Sequence, residues 1–423
     1  MNPLPTPLGL TPSFGFGDRL GCATPGHLAA LCHTGGPIKG IFAQQSIREL
    51  ERTARTPEDV MRAAQEALVA HPYTDAWGAD ADHLKTEEDV DRMIAAGFTF
   101  FTVDPSGHVD QQADDYTPEI LAAKFKTLCH DITWIDQYLH KSITVTDGLT
   151  IHFDADTVQR AAVKYGKAIE HTIHLSRYIT ATTQKHGQES EIELSVDETE
   201  QPTTLAEHYI IADQCRQAGV KLISLAPRYL GDFEKGNDFK GDLEALERSL
   251  KDHAAIANKL GPYKLSLHSG SDKLSIYTLF ARATAGRFHV KTAGTSYLEA
   301  LRVAAKIDPS FFREIIDFSR SHYLRDKATY HVSATLEHAP APSEITRNDE
   351  LERLYLEKWE DVPAGLGFTN PGRQILHCTF GSVLTDAKLG PALHQLLSAN
   401  ESTYTEILQE HFNRHLIALT DGC

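Results

Sequence analysis

The chain has 423 residues, of which 41% are hydrophobic and 23% charged, a composition typical of a globular protein with a large core. Its formal net charge of −17 argues against nucleic-acid binding, and its apolar runs are far shorter than the roughly 20 residues that span a bilayer. The first residues lack the basic start and apolar stretch of a signal peptide, and none of the six cysteines forms a C-x-x-C pair. These features predict a cytoplasmic protein with reduced thiols and without a membrane partner.

Strand patterns followed by helix patterns recur along the chain, and their number indicates the fold. Alternation and β-type composition predict eight strands, at 13–21, 38–46, 77–83, 98–106, 191–200, 220–229, 263–268 and 288–295. Helices are predicted from 24, over 56–71, from 86, over 204–218 and 242–260, from 274 and from 296. Eight β-then-α units predict a (β/α)₈ TIM-type barrel of the α/β class over residues 1–305.

Two regions lie outside the eight units. An insertion after the fourth strand, at about 107–185, contains a helix pair and a segment at 143–153 that predicts a small hairpin. Residues 306–423 form a mostly helical C-terminal extension that we expect to pack on the barrel. It is interrupted by two strand-like pieces, at 329–334 and 374–384.

The seventh unit is the most informative stretch. Its strand ends in His-Ser-Gly-Ser-Asp-Lys, from His268 to Lys273, and the chain then enters an apolar-periodic helix. In parallel α/β folds, sites are built at this end of a strand. The structural alternative is a plain β-to-α turn in which Ser271 or Asp272 caps the helix.

Polar residues crowd the ends of the other strands too, which favours an active site over a solvated rim. They are Asp18, Arg19, Gln44, Gln45, Ser46, Asp80 to His83, Asp104, Asp197 to Glu200, Arg228, Lys291 and Thr292.

Metal binding is predicted from residue types, because barrel ligands come from separate strands and show no spacing. Glu198 and His268 are the strongest pair, since alternation directs both to one mouth. A carboxylate with imidazoles suits zinc, manganese, nickel or iron. His331 is the expected third ligand, because it lies in a polar-ended strand pattern, and His83 is the reserve. Each histidine could instead simply form hydrogen bonds in a polar mouth.

Two further motifs have alternative interpretations. G-F-G-D-R-L-G, with Gly15, Gly17 and Gly21, has one residue too many for a dinucleotide fingerprint, and Gln44-Gln45 stand where an acid should meet the ribose. No added nicotinamide is therefore expected. A lysine inside a barrel, such as Lys291, can form a Schiff base, transfer a proton or pair with a barrel carboxylate, and the last is commonest.

At these residues the sequence resembles the tagaturonate/fructuronate epimerases. The resemblance extends over nearly the whole chain from Ser13. The segments that carry it are S-F-G-F-G-D-R-L-G, I-F-A-Q-Q-S, G-A-D-A-D-H, L-S-V-D-E-T-E, S-L-H-S-G-S-D-K, F-H-V-K-T-A-G-T-S-Y-L-E-A, Y-H-V-S-A and H-C-T-F-G-S-V-L. It implies a barrel enzyme of hexuronate catabolism that inverts carbon 4 of a keto-hexuronate with a divalent metal (zinc, manganese, nickel or cobalt).

The resemblance leaves other substrates and roles open. Related sequences act on neutral ketohexoses, interconverting fructose and tagatose, and a sugar-binding barrel without turnover is a remoter alternative. The partner is in any case a small sugar acid or ketohexose, and a homo-oligomer stays open.

Roles for the mouth residues follow from the chemistry of such a reaction. Because the carbon 4 hydrogen is β to the ketone, retro-aldol cleavage and re-addition are favoured over proton abstraction. Asp104, Lys291 and His83 are the expected catalytic residues. For the substrate carboxylate the candidates are Arg19, Arg228 and Lys273, and for other substrate contacts Gln44, Gln45, Ser46, Asp80 and Asp272.

Overall fold

Eight parallel strands close into a barrel in the computed structural model, which describes residues 3–128, 130 and 132–423. The ten strands are β1 (Ser13–Phe16), β2 (Lys39–Ser46), β3 (Gly78–Leu84), β4 (Phe100–Val103), β5 (Lys141–Thr146), β6 (Leu149–Phe153), β7 (Glu191–Ser195), β8 (Leu222–Ala226), β9 (Lys264–Leu267) and β10 (Phe288–Thr292). The barrel order is β1-β2-β3-β4-β7-β8-β9-β10, and β10 pairs with β1. The predicted (β/α)₈ barrel is confirmed, although most of its strands end earlier than their sequence patterns.

Helices cover the barrel and build the rest of the chain. They are α1 (Thr24–Thr34), α2 (Ile47–Thr53), α3 (Pro57–Ala70), α4 (Glu87–Ala95), α5 (Pro118–Leu128), α6 (Ile135–Tyr138), α7 (Ala155–Lys185), α8 (Leu205–Gln217), α9 (Leu243–Leu260), α10 (Leu274–Ala283), α11 (Thr295–Ile307), α12 (Pro309–Asp326), α13 (Asn348–Leu356), α14 (Pro371–Cys378), α15 (Phe380–Thr385), α16 (Leu389–Ala399) and α17 (Glu401–Thr420). Short 3-10 turns lie at Ser106–His108, Ala113–Asp115, Lys327–Thr329, Leu336–His338, Pro342–Glu344 and Trp359–Asp361.

Local sequence sets several helix starts. Thr56, Thr86 and Thr204 each form a capping box, in which the threonine hydroxyl accepts from a backbone N–H and an acid three residues on accepts from the threonine N–H. These caps start α4 and α8 after the loops that follow β3 and β7, and they start α3 after the short helix α2.

The barrel interior is polar, whereas its outer face is apolar. Phe14 and Phe16 of β1 point outward and contact Phe412 of α17. Gly15 points inward, where an added Cβ would overlap the side-chain amide of Gln44. Inward positions of β3, β7 and β10 hold charged groups that form the floor of the site described below.

The insertion lies between β4 and β7. It contains α5, α6, the antiparallel hairpin β5–β6 and the long helix α7, so the hairpin predicted at 143–153 is confirmed. Buried Lys164 of α7 pairs with Asp114 inside the insertion at 2.7 Å and with Glu207 of α8 at 3.1 Å, and the second contact ties the insertion to the barrel.

The C-terminal extension is helical, and both strand patterns predicted within it are wrong. Residues 374–378 belong to α14, since Pro371 is favourable at the first position of a helix, and residues 380–384 belong to α15. Residues 329–334 form no strand among the described residues: Thr329 ends a 3-10 turn, and residues 330–334 have no strand partner. Their polar groups bind side chains instead, as when the Ala334 N–H donates to Gln374 Oε1 at 2.9 Å.

The last helix, α17, completes the outer layer by packing against α1, α10 and α11. In the described part of the chain, none of the helices combines the length and apolar character needed to cross a membrane. The described cysteines are free thiols, at Cys22, Cys32, Cys215, Cys378 and Cys423, and Cys129 lies outside the described residues.

Candidate active site

A cavity of about 360 Å³ opens at the carboxyl ends of the strands. Loops after β7, β8 and β9 form its walls, together with α2 and a segment of the C-terminal extension. Its lining residues are Arg48, Asp197, Glu198, Thr199, Glu200, Pro227, Arg228, Tyr229, Phe233, Lys235, Leu267, His268, Ser269, Thr329, Tyr330 and His331. Barrel and extension therefore build this cavity jointly.

Below the cavity, Lys291 of β10 lies among three carboxylates. Its Nζ is 2.9 Å from Asp80, 2.7 Å from Asp82 and 2.7 Å from Glu193. Burial alone would lower the pKa of Lys291, but the three negative charges outweigh it and raise the pKa well above its usual range. Lys291 is therefore a fixed ammonium that holds these acids together.

Glu193 links this floor to His268 after β9. Its Oε1 lies 2.7 Å from His268 Nε2, and both side chains are buried. The other ring nitrogen, Nδ1, lies 3.4 Å from the Ser195 hydroxyl and 3.6 Å from Asp197 Oδ1. Glu193 thus orients His268, and the imidazole presents its second nitrogen to the acids at the mouth.

His83 at the end of β3 has a parallel arrangement. Its Nδ1 is 3.1 Å from the buried Asp104 Oδ2, and its Nε2 is 3.8 Å from Asp82 Oδ1. Burial opposes the charged ring, but Asp82 and Asp104 prevail and raise the pKa of His83 to about 10. The backbone of His83 is left-handed (φ 53°), at an irregularity in the β3–β4 register that turns the side chain toward His268.

The two imidazoles meet edge to face, with ring centroids 5.1 Å apart. Ligand atoms of Asp82, His83 and His268 all lie within 4.8 Å of one another, and so do those of His83, Asp104 and Glu198. We call Asp82, His83 and His268 the mouth cluster. Its donor set, two imidazoles and a carboxylate, can hold a divalent metal.

The structure brings only part of the predicted metal set together. Glu198 lines the cavity and is partly exposed, and its Oε1 pairs with Arg48 at 2.9 Å. It belongs to a loop, since β7 ends at Ser195, so the strand alternation that was expected to direct it does not extend to it. His331 also lines the cavity, but its side chain is 64% exposed and lies 3.5 Å from Asp232, apart from the mouth cluster.

The predicted substrate residues in β2 and after β1 are not part of the cavity lining. Arg19 is buried, donates to Glu49 at 2.8 Å and stacks on Phe380 at 3.6 Å. Gln44 donates to the Thr292 carbonyl at 2.8 Å, and Ser46 caps α2. Both amide atoms of Gln45 are buried without a hydrogen-bond partner among the described residues.

Arg228 lines the cavity, whereas Asp272 and Lys273 face away from it. Arg228 Nη1 donates to the carbonyls of Tyr229 and Gly231, at 3.0 and 2.9 Å. Lys273 is buried, and its Nζ donates to backbone carbonyls, including that of Glu234 at 2.8 Å. Asp272 pairs with residues of the C-terminal extension.

Glu193 and Lys235 are not among the residues predicted above. Asp82 and Asp197 were predicted only as polar residues at strand ends, without a role of their own. A signal for Glu193 was present, since E-I-E-L-S alternates with Glu193 and Ser195 on one face. Lys235 lies in a loop without periodicity, so no pattern could find it.

Comparison with known proteins gives one consistent result. A family model described as tagaturonate epimerase matches residues 2–419. A tagaturonate/fructuronate epimerase of Thermotoga maritima is 42% identical over 97% of this chain and 81% of its own length. The native crystal structure of the fructuronate-tagaturonate epimerase UxaE from Cohnella laeviribosi superposes with a TM-score of 0.90 at 37% identity, over 99% of this chain and 83% of that one. A glycerol complex of that enzyme matches equally well, with a TM-score of 0.90.

Proposed function

The chain belongs to the tagaturonate epimerase family, and from this premise we propose that it interconverts tagaturonate and fructuronate in the cavity at the mouth of its barrel. Family membership makes it a carbohydrate epimerase. The observation that supports catalysis at this place is the pairing of each mouth histidine with a buried carboxylate, His83 with Asp104 and His268 with Glu193. Binding alone rarely needs so many coupled titratable groups.

We further propose that the mouth cluster holds a divalent metal. Metal-binding histidines commonly donate the second ring N–H to a carboxylate, which fixes the tautomer and leaves the other nitrogen for the ion. Both His83 and His268 have such a carboxylate. The negative charge of Asp82 and Asp104, which raises the pKa of His83, also favours a cation beside it. Zinc, manganese, nickel and cobalt suit this donor set.

A divalent ion bound there would supply Lewis acidity toward the ketone of the substrate. The hydrogen on carbon 4 is β to that ketone and is not acidified by it. We therefore propose that the bond between carbons 3 and 4 breaks, that its electron pair passes to carbon 3 beside the ketone, and that the bond re-forms on the other face of the aldehyde. The hydrogen on carbon 4 stays on its carbon throughout.

This route requires a base for the proton of the carbon 4 hydroxyl, which the same group returns when the bond re-forms. Asp197 lines the cavity, and the charges of His268 and His83 overcome its burial and lower the pKa of its carboxyl. We assign the proton transfer to Asp197. Asp104 and Lys291, the other candidates, are already engaged, one with His83 and one with three carboxylates. We assign them to holding the site in place.

The direct test follows tagaturonate by NMR, with protein loaded with manganese and with protein treated with a chelator. We expect fructuronate to form only with the loaded protein, and deuterium placed at carbon 4 to be retained without a primary isotope effect. A primary isotope effect at carbon 4 would show hydride transfer instead of bond cleavage. Faster turnover of fructose than of fructuronate would show that the substrate is a neutral ketohexose.

A further inference from the structure

The loop between β8 and α9 presents two cations to the cavity, Arg228 and Lys235. The Lys235 ammonium donates to the Ser269 hydroxyl at 2.9 Å, and the Arg228 guanidinium donates to backbone carbonyls. Among the residues that the structure describes, no carboxylate oxygen lies within 4.0 Å of either cation. In a protein with a net charge of −17, cations without a carboxylate partner inside a cavity stand out.

The other cations near the mouth are engaged. Arg48 pairs with Glu198 at 2.9 Å, and Arg19 pairs with Glu49 at 2.8 Å. Lys273 is enclosed by backbone carbonyls. These three residues therefore have partners that an anionic ligand would have to displace, whereas Lys235 donates to the neutral Ser269 hydroxyl.

The loop around Lys235 is held firmly, so its ammonium is positioned in advance. Lys273 donates to the carbonyl of Glu234, whose carboxylate accepts from Lys240 and from Gln374 at 2.7 and 2.8 Å. On the other side, Asp238 Oδ1 accepts from the Ser275 hydroxyl at 2.9 Å. The neighbours of Lys235 thus anchor the loop to α10 and α14, while Lys235 itself faces the cavity. Positioning before binding reduces the entropy lost on association.

We infer that Lys235 binds the carboxylate of the substrate and so selects keto-hexuronates over neutral ketohexoses, with Arg228 beside it. This inference rests on the proposed function and names the residue that sets its substrate class. A neutral sugar has a hydroxymethyl group in place of the carboxylate, so it would leave the ammonium without a charged partner in a partly buried site. The carboxylate would add a charge-assisted hydrogen bond that the neutral sugar cannot make.

The test measures binding of radiolabelled tagaturonate and of tagatose by equilibrium dialysis, which counts both epimers of each sugar. We compare the unaltered protein with Lys235→Gln, with Lys235→Arg as the charge-conserving variant. Lys251→Gln removes the same charge from an exposed residue of α9 and serves as the control. Lys235→Gln should weaken uronate binding about 10- to 100-fold, the range for one charge-assisted hydrogen bond, and leave tagatose binding within about twofold.

Retention of most uronate affinity in Lys235→Arg supports a role of charge. Two results overturn the inference: uronate binding unchanged in Lys235→Gln, or uronate and tagatose binding weakened alike, which would show a structural role. Turnover by the unaltered protein is scored separately. Absent epimerisation with intact uronate selectivity would therefore refute the proposed function and leave the Lys235 assignment standing.

Discussion

Two clusters in this protein contain the same residue types, one aspartate and two histidines, with ligand atoms within 4.8 Å of one another. One is the mouth cluster of Asp82, His83 and His268. The other, which we call the buried cluster, consists of Asp272, His411 and His415. By composition and distance, either cluster could hold a metal, so the residues around each cluster must decide which one does.

Protein groups already occupy most of the ligand atoms of the buried cluster. Asp272 Oδ2 pairs with Arg373 at 3.0 Å, and its Oδ1 is 2.7 Å from His411 Nε2. His415 Nε2 accepts the Asp272 N–H at 3.2 Å, so the lone pair that a metal would need is in use. These contacts tie the turn before α10 to α14 and α17, and all the side chains involved are buried. The buried cluster therefore holds the extension on the barrel.

The mouth cluster differs in access. His268 lines the cavity, and among the described residues its Nδ1 has the hydroxyl of Ser195 at 3.4 Å and Asp197 at 3.6 Å as its polar neighbours. The acid of the mouth cluster, Asp82, pairs with Lys291 at 2.7 Å and, among the described residues, with no arginine, in contrast to Arg373 at Asp272. The comparison shows that available ligand atoms and access from the cavity, rather than residue types, distinguish a candidate metal site from a cluster that holds two parts of the fold together.

The largest expected effect separates the clusters by function. In His268→Ala, metal content and turnover should both be lost, with kcat lower by at least about 10³-fold, since a Lewis acid contributes several kcal/mol to the transition state. The fold should survive, because Glu193 keeps its contacts with Lys291 and Thr102. Metal analysis and steady-state kinetics check this. Activity within tenfold of the unaltered protein would remove His268 from the site.

The converse change should act on stability. Arg373→Met leaves the buried Asp272 without its guanidinium, which should reduce the free energy of unfolding by about 3–5 kcal/mol. Metal content per folded molecule should stay unchanged. Arg414→Met is the matched control, since Arg414 is an exposed arginine paired with Glu410 within α17 and its loss should cost less than about 1 kcal/mol. Urea unfolding measures the free energy of unfolding of both variants. Equal values would show that the buried cluster does not hold the extension on the barrel.

A smaller effect is expected at Glu193, which contacts His268 of the mouth cluster. Glu193→Gln removes the carboxylate that orients His268, so metal affinity should fall about 10- to 100-fold, less than on loss of the imidazole itself. Competition with a chromophoric chelator measures the affinity, and Glu189→Gln, at an exposed position before β7, is the control. Unchanged affinity in Glu193→Gln would mean that Glu193 serves only Lys291.

The smallest expected effect is on the free energy of unfolding at acidic pH. Burial would raise the pKa of Asp272, but Arg373 and His411 prevail and hold it well below its usual range. The folded pKa thus lies below the unfolded value of about 3.9, so this stabilisation is present above that pH and is lost as the pH falls through the folded pKa. Asp272→Asn should therefore show a shallower loss of unfolding free energy below about pH 4. An unchanged slope in Asp272→Asn would contradict the pairing.

The fold could be predicted from the sequence because periodicity is local. Eight strand patterns, each followed by a helix signal, determined the barrel, and the hairpin in the insertion followed from the same signals. The two strand-like pieces of the extension failed for a physical reason. Short apolar runs fit both periods, and the contacts that decide between them, such as Gln374 with Ala334, come from distant residues.

The site was predictable only in part. Strand ends placed His268 at the mouth, but the assignment of Glu198 depended on where β7 stops, and strand boundaries are the least certain feature of a sequence prediction. The pairing of Asp272 with His411 joins residues 139 positions apart, and no sequence pattern reports it.

The central claim is that a metal belongs to the mouth cluster and not to the buried cluster. Crystals grown with manganese and measured above and below the manganese absorption edge test this directly. The account predicts one strong anomalous peak between Asp82, His83 and His268. A peak between Asp272, His411 and His415, or manganese bound at neither cluster in protein that epimerises tagaturonate, would contradict it.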